Sequence, residues 1–189
     1  MELFWYDIRQ MTDSDYADAL TQMPSARKKL LDNLPTQDDR KRAVAAEALA
    51  CRVLAEKSGV LPGAVSLCFE ENGRLHTADS SFYAATSSSG AWAVCAVDHH
   101  PLGVDVEVIR NTQEKFIQRV CSPQELSYIR YGDADCLSRF WECWTAKEAV
   151  FQLTGKGPLL TLSQFSLPDH ILLDHILCHG CAVTAASSL

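Results

Sequence analysis

One short segment constrains the fold of this chain more than any other: residues 103–107 read Gly-Val-Asp-Val-Glu. Alternate side chains of a β-strand share a face, so Val104 and Val106 would be buried while Asp105 and Glu107 lie together on the opposite face. Two neighbouring carboxylates repel each other unless a cation lies between them. Because Mg²⁺ is held in proteins by carboxylates together with phosphate oxygens, the segment predicts a strand that carries part of a magnesium site.

A second segment lies about forty residues further on, where residues 144–148 read Trp-Thr-Ala-Lys-Glu and residues 155–157 read Gly-Lys-Gly. On a helix Glu148 lies one turn from Trp144, and it is the natural third carboxylate for the metal. Each segment alone has an ordinary explanation, as a strand with a solvated acidic face or as an amphipathic helix. In this order and at this separation the two are more specific, and they predict a Mg²⁺ site that handles a phosphorylated substrate.

Length and composition are those of an ordinary globular protein. The 189 residues are 47% hydrophobic and 22% charged, which is enough for one domain or for two small lobes. We find no stretch long enough to span a bilayer, and the first residues lack the basic start and apolar core of a signal peptide. We therefore expect a cytoplasmic protein with no membrane partner. The net charge of −7 argues against nucleic acid as a partner.

The eight cysteines are scattered, at positions 51, 68, 95, 121, 136, 143, 178 and 181. Several lie inside apolar runs, and without an export signal we expect them to be buried free thiols in a reducing cytoplasm. Cys178 and Cys181 have the spacing of a metal or redox pair. No second pair accompanies them, so a structural role for these two thiols is favoured over metal binding or redox chemistry.

Positive charge is concentrated in two clusters, residues 27–29 (Arg-Lys-Lys) and residues 40–42 (Arg-Lys-Arg). Such clusters are usually solvated helix surface. Charge-assisted hydrogen bonds to phosphate groups would give them a function. Which member of each cluster points inward is left open, because adjacent helical residues face different ways.

Hydrophobic periodicity and capping signals predict an alternation of strands and helices. Strands are expected over 3–7, 65–70, 74–76, 91–97, 102–108, 165–167, 171–177 and 181–186, and helices over 15–22, from 24 onward, 38–57, 123–129 and 135–153. Residues 80–90, rich in Ser, Ala and Thr, are expected to form a loop around a short strand. Residues 72–73 are expected to form a tight turn.

The two acidic segments resemble the signature motifs of the Sfp-type 4'-phosphopantetheinyl transferases, which prime carrier proteins from coenzyme A. The family pattern is Gly-hydrophobic-Asp-hydrophobic-Glu, then Trp-Ser/Thr-x-Lys-Glu, then Gly-Lys-Gly, and the resemblance covers most of the chain. Residues 72–74 stand where the family has Gly-Lys-Pro, and residues 87–92 where it has Ser-His-Ser-Gly-x-Trp. The resemblance implies an α/β (α+β) fold of two similar lobes, a pseudo-dimer of residues 1–102 and 103–189. Each lobe would have a small, mainly antiparallel sheet packed by a long helix, with the active site in the cleft between them.

The resemblance also implies a Mg²⁺-dependent enzyme. It would transfer the 4'-phosphopantetheine group from coenzyme A to a serine of an apo acyl or peptidyl carrier protein, and release adenosine 3',5'-bisphosphate. Asp105, Glu107 and Glu148 would hold the metal. The catalytic residues would be Glu148 and Lys147. Glu148, directly or through a water on the metal, would be the base, and Lys147 would contact phosphate or lie in a structural ion pair. The residues expected to bind the coenzyme are Arg27, Lys28, Arg42, Arg74, Ser88, Ser89 and Lys156.

Two departures from the family pattern leave alternatives open. Ser88 replaces the family's histidine, and Gln152 replaces a lysine that often follows the helix glutamate. Both changes would weaken contacts to phosphate, so a catalytically weak homologue that binds coenzyme A or a carrier protein is one alternative. A metal-dependent phosphodiesterase that uses the same three carboxylates is another, and the acidic net charge disfavours a nucleic-acid substrate for it. Because one chain carries both motifs, a monomer is expected.

Overall fold

The computed structural model describes residues 1–65, 67–70, 75–78, 81–131, 135–155 and 170–188. The strands are β1 (Glu2–Asp7), β2 (Leu67–Phe69), β3 (Leu75–Thr77), β4 (Tyr83–Ser89), β5 (Trp92–Asp98), β6 (Leu102–Val108), β7 (Ile171–Cys178) and β8 (Cys181–Ser188). The helices are α1 (Asp13–Gln22), α2 (Ser25–Asp32), α3 (Gln37–Ser58), α4 (Glu114–Val120), α5 (Pro123–Ile129) and α6 (Cys136–Thr154). All strand pairings are antiparallel, so the expected mixed α/β class with antiparallel sheets is confirmed.

Strands β1 to β5 form a five-stranded sheet in the order β1-β5-β4-β3-β2. Helix α3 packs on one face of it, where Val44 and Leu54 are fully buried in one cluster with Ala93 and Cys95 of β5. Helix α3 ends at Gly59, whose backbone is left-handed with a φ of 68°, as the sequence predicts for a helix C-terminus.

Strands β6 to β8 form a three-stranded sheet in the order β6-β8-β7. Val104 and Val106 pack against Ala85 and Val94 of the five-stranded sheet. Helix α6 covers the opposite face, where Ala149 is buried in one cluster with residues of β7 and β8. The two sheets are therefore joined by a shared apolar layer, whereas the two-lobe pseudo-dimer, its boundary at residue 102 and the cleft remain predictions.

Residues 80–90 were expected to form a loop around a short strand, and the strand occupies more of this segment than expected. Residues 83–89 form β4, which is hydrogen bonded to β3 on one side and to β5 along its whole length on the other. Ala84 and Ala85 are buried on opposite faces, one towards α3 and the other towards the second sheet. Small side chains have low intrinsic strand propensity, but they allow close approach on both faces, and that packing outweighs the propensity.

Helix α4 was not expected, and it begins without a side-chain cap. Helix α5 begins with the expected capping box, in which the Ser122 hydroxyl accepts from the Glu125 backbone N–H and the Glu125 carboxylate accepts from the Ser122 N–H. The turn expected at 72–73 and the strand expected at 165–167 lie outside the described residues.

The cysteines are free thiols, as expected. Their burial is less uniform than expected: Cys95, Cys121 and Cys181 are buried, whereas Cys136 is exposed and the other four are half-buried. In the described part of the chain, no helix combines the length and the apolar character that crossing a membrane requires.

Candidate active site

The acidic pair of β6 lies on the face of the strand that α6 covers. Gly103, Asp105 and Glu107 alternate onto this face, while the valines between them are buried against the other sheet. A Cβ atom built at Gly103 would lie 2.0 Å from the main-chain oxygen of Ala149 on α6. No other residue fits there, and this close approach of helix and strand brings Glu148 to the acidic pair.

Two serine hydroxyls of β4 orient the acidic pair. Ser87 Oγ donates to Asp105 Oδ1 at 2.8 Å and accepts from the Val106 N–H at 3.2 Å. Ser89 Oγ repeats the pattern, donating to Glu107 Oε2 at 2.7 Å and accepting from the N–H of residue 108 at 3.2 Å. The hydroxyls thus take the place of main-chain partners between two strands that belong to different sheets.

The structure gives Ser89 a contact that was not expected. Its side chain is buried and its hydroxyl donates to Glu107, so in the structure it positions a carboxylate, while its contact with phosphate stays a prediction. Ser87 was not among the expected site residues. Its polar neighbours along the strand were a sequence signal, but only the three-dimensional contact between β4 and β6 identifies what it does.

Asp105, Glu148, Ser87 and Gln152 line one cavity of about 370 Å³. Burial raises the pKa of Asp105 well above its usual value, and the charges of Glu107 and Glu148 raise it further, against the opposing effect of the Ser87 hydrogen bond. Burial raises the pKa of Glu148 as well, followed by the charge of Glu107. Burial and the charges of neighbouring carboxylates thus both favour the protonated forms of Asp105 and Glu148.

The donor chemistry of this cavity fits a hard divalent cation. Asp105 Oδ2 and Glu148 Oε1 are buried oxygens that have no hydrogen-bond partner among the described residues, and an unpaired buried carboxylate oxygen is unfavourable unless a cation or a donor meets it. As the side chains stand, no three acidic, histidine or cysteine groups in the described ranges are close enough to form a complete ligand set. The convergence of Asp105, Glu107 and Glu148 on one ion therefore stays a prediction.

Lys147 lies away from this cavity. Its side chain is 2% exposed, and Nζ donates to Glu125 Oε2 at 2.6 Å and to the main-chain oxygen of Val120 at 2.7 Å. Of the two roles expected for Lys147, the structure supports the structural ion pair. It gives no support to a contact with phosphate or to a catalytic role.

Gln152 joins the two sheets beside the acidic cavity. Its Oε1 accepts from the Val104 N–H at 2.7 Å, and its Nε2 donates to the Thr86 carbonyl at 3.2 Å. The amide therefore binds main-chain groups of β6 and β4. A lysine at this position could not accept the Val104 hydrogen bond.

The basic residues expected to bind phosphate already have partners. Arg27 forms an ion pair with the buried Glu47 of α3, and Arg42 forms one with Asp39 one turn earlier on the same helix. Lys28 donates to a main-chain carbonyl oxygen at 3.4 Å. The structure thus places these side chains around α2 and the start of α3.

The remaining expected phosphate contacts are less defined. Ser88 alternates to the face of β4 opposite Ser87 and Ser89, which is the face that packs on α3. It therefore lies on the side of the sheet that carries Arg42. Arg74 and Lys156 lie outside the described residues.

Two other residues of the second motif have structural roles. Thr145 is fully buried, and its Oγ1 lies 2.7 Å from Oγ1 of Thr184 on β8. The ring of Trp144 lies 5.3 Å from that of Phe116 on α4.

Sequence reasoning missed Arg110, which places a guanidinium nitrogen 3.9 Å from Glu107 Oε2. One carboxylate of the acidic pair therefore has a cationic neighbour in the structure.

Comparison with known proteins covers both motifs. Residues 101–174, which include β6 and α6, match the 4'-phosphopantetheinyl transferase superfamily. A 4'-phosphopantetheinyl transferase of Bacillus subtilis is 30% identical over 133 residues, or 69% of this chain and 59% of that protein. The transferase psf-1 of Bacillus pumilus is 30% identical over 146 residues, or 70% of this chain and 63% of that protein. The family match and these relatives are all 4'-phosphopantetheinyl transferases, and this chain is similar to them.

The similarity extends beyond Bacillus. The transferase HetI of Nostoc sp. is 30% identical over 128 residues, or 64% of this chain and 54% of that protein. The chain thus spans about three fifths of the length of these three relatives. In this chain, Ser87 and Ser89 occupy the two serine positions of the family's Ser-His-Ser segment, and both support the acidic pair.

The hydrogen bond from Ser87 gives a testable effect on proton affinity. In Ser87→Ala the Asp105 carboxylate loses a donor that stabilises its charged form, so the pKa of Asp105 should rise further. The Val106 N–H also loses its acceptor, which should lower the free energy of unfolding by about 1–3 kcal/mol. Carboxyl-carbon NMR titration of the metal-free protein would measure the pKa. An unchanged Asp105 titration would show that Ser87 does not support this carboxylate.

The ion pair of Lys147 separates a structural role from a catalytic one. Lys147→Met keeps the length of the side chain and leaves Glu125, which is partly exposed, to regain water. We expect a loss of about 1–3 kcal/mol in the free energy of unfolding, because the Val120 carbonyl also loses a donor. Any transferase activity of the folded variant should stay within a few-fold of wild type at saturating substrate. A stable variant with a large fall in kcat would instead place Lys147 in the chemistry.

Proposed function

We propose that this protein transfers the 4'-phosphopantetheine group of coenzyme A to a serine hydroxyl of an apo acyl or peptidyl carrier protein and releases adenosine 3',5'-bisphosphate. The observation that carries the proposal is the cavity shared by Asp105 and Glu148, built by the two segments that match the superfamily. A buried cluster of carboxylates suits a reaction at a diphosphate, whose negative charge must be met by a cation.

Mg²⁺ is the metal that these donors fit best. Asp105, Glu107 and Glu148 would hold it, through the unpaired oxygens of Asp105 and Glu148 and the serine-oriented carboxylate of Glu107. When bound, the ion would neutralise negative charge on the diphosphate of coenzyme A. Ser87 and Ser89 would keep the strand carboxylates in place before the ion and the substrate arrive.

The proton of the attacking serine needs an acceptor in the same cavity. Glu148 is the candidate base, because its carboxylate lines the cavity and its Oε1 is unpaired among the described residues. Gln152 next to it is engaged with the main chain of both sheets and cannot accept a proton near neutral pH. The ion pair of Lys147 with Glu125 favours Glu148 over Lys147 for this role.

The phosphate groups of coenzyme A would lie against the basic residues around α2 and α3. Arg27, Lys28 and Arg42 would exchange part of their present contacts for charge-assisted hydrogen bonds to phosphate, and Ser88 would add a hydroxyl from β4. Arg74 and Lys156 complete the set expected from the motifs. Binding of coenzyme A should then weaken as the salt concentration rises.

A second candidate function is binding of coenzyme A or a carrier protein with little turnover. It is favoured by Gln152, whose amide joins the two sheets where the family often carries a lysine, and by the loss of the family's histidine at Ser88. Both replacements would remove positive charge that could stabilise the leaving group, adenosine 3',5'-bisphosphate. The two functions differ in whether a covalent product forms.

Incubation with coenzyme A, Mg²⁺ and either an apo acyl carrier protein or an apo peptidyl carrier protein, read by intact-protein mass spectrometry, tests the proposal. We expect the carrier to gain the mass of one phosphopantetheine group, and the gain to disappear when EDTA replaces Mg²⁺. Asp174→Asn, which neutralises an exposed carboxylate on β7, serves as the matched control for loss of charge. Binding of coenzyme A without modification of either carrier would favour the second candidate.

A further inference from the structure

A second cavity, of about 580 Å³, lies between α1, α3 and strand β2. Its apolar wall includes Met23, Ala48, Leu67 and Phe69. No described residue lines both this cavity and the acidic one, so it is a separate site. Its volume is many times that of one water molecule, about 30 Å³, and falls within the range of about 300–1,000 Å³ that is usual for small-molecule pockets.

One charged side chain in the wall has an unused oxygen. Glu47 is 3% exposed and lines the cavity. Glu47 Oε1 accepts a hydrogen bond from Arg27, whose guanidinium lies 5.4 Å from the centre of the Phe69 ring. Glu47 Oε2 has no hydrogen-bond partner among the described residues. A buried carboxylate with one oxygen unpaired is stabilised by a ligand that supplies a donor, and a cationic donor does so most strongly.

The charges around the cavity favour a cation over an anion. Asp15 and Asp18 also line it, and both are exposed on α1. The cationic member of the lining is Arg52, an exposed residue whose guanidinium lies over the Tyr6 ring at 5.3 Å. Among the described residues, the lining thus holds three carboxylates and one guanidinium, with the guanidinium of Arg27 bound to Glu47. An anionic ligand would meet repulsion from all three.

We propose that this cavity binds a small primary ammonium compound with an apolar body. The ammonium group donates to Glu47 Oε2, and the apolar body packs against Met23, Ala48 and Leu67. The proposed site does not include the acidic pair. It is connected to the proposed coenzyme A site through Arg27, which binds Glu47 Oε1.

Titration with 2-phenylethylamine at neutral pH, followed by amide chemical shifts in ¹H–¹⁵N NMR, tests this proposal. We expect saturable shifts centred on α1 and α3, and binding at least tenfold weaker to Glu47→Gln than to wild type. Glu56→Gln is the matched control, because it removes one carboxylate from an exposed position on the same helix and should leave the affinity unchanged. The neutral analogue 2-phenylethanol should bind at least tenfold more weakly than the amine.

A second variant protects the test against misfolding of Glu47→Gln. Ala48→Phe places a large apolar side chain in the cavity while keeping the carboxylate, and it should abolish binding of the amine. Equal affinity for the amine and the alcohol, or unchanged affinity in a folded Glu47→Gln or Ala48→Phe variant, would overturn the assignment. Absence of any saturable shift with wild-type protein would overturn it as well.

Discussion

Replacing Gly103 with alanine should destabilise the protein by about 3 kcal/mol or more, the upper range for forcing extra atoms into a packed interior. The added Cβ would lie 2.0 Å from the Ala149 carbonyl oxygen and 2.8 Å from the Leu153 backbone nitrogen. Neither contact involves the end of a flexible side chain, so relief requires α6 to move away from β6. Urea unfolding followed by tryptophan fluorescence would measure the loss.

A second glycine provides the control for this substitution. A Cβ built at Gly63 meets no atom within 4 Å, so Gly63→Ala should change the free energy of unfolding by less than about 1 kcal/mol. If Gly103→Ala is as stable as Gly63→Ala, α6 does not lie as close to β6 as described. Glu148 would then have no fixed position relative to Asp105, and the acidic site would lose its basis.

Asp105→Asn should abolish most transfer activity, with an expected fall in kcat/KM of at least about 100-fold, since even the groups that only support a metal ligand account for about 10–100-fold. Asparagine keeps the shape of the side chain and can still accept from the Ser87 hydroxyl. The change therefore removes the charge and leaves the packing intact. The mass-spectrometric transfer assay measures it, with Asp174→Asn alongside, and near-normal activity would remove Asp105 from the site.

The same variant should have the opposite effect on stability. Because the pKa of Asp105 is raised in the folded protein, its contribution to stability is fully present below the unfolded-state pKa of about 3.9. That contribution is lost as the pH rises through the folded-state pKa. In EDTA above that pH, Asp105→Asn should melt at the same temperature as wild type or higher. Thermal melts of both proteins across the pH range would measure this difference. A variant that melts well below wild type at every pH would contradict the conclusion that the charged Asp105 carboxylate destabilises the metal-free fold.

Local sequence signals predicted the parts of the fold that depend on neighbouring residues. The capping box of α5, the left-handed glycine after α3 and the valine alternation of β6 are each set within a few positions along the chain. The full extent of strand β4 could not be predicted in this way, although a short strand was expected there. Its small residues form a strand because β3, β5, α3 and the second sheet surround them, and none of these contacts is local in sequence.

The same distinction between local signals and distant contacts applies to the candidate site. Asp105 and Glu148 were predicted, and both line one cavity. The roles of Lys147, Ser89 and Gln152 could not be decided from sequence, because each depends on a partner at least 18 residues away along the chain. A polar residue next to a motif has several possible partners, and the fold selects among them.

The serine bridges between β4 and β6 couple the position of one sheet to the chemistry of the other. The carboxylates belong to the three-stranded sheet, but the hydroxyls that stabilise their charge come from the five-stranded sheet. A small displacement between the sheets would lengthen these hydrogen bonds and raise the proton affinity of Asp105, whose charged form the Ser87 hydroxyl stabilises. A partner that pressed the two sheets together or drew them apart would thereby tune the acidity of the site without contacting it.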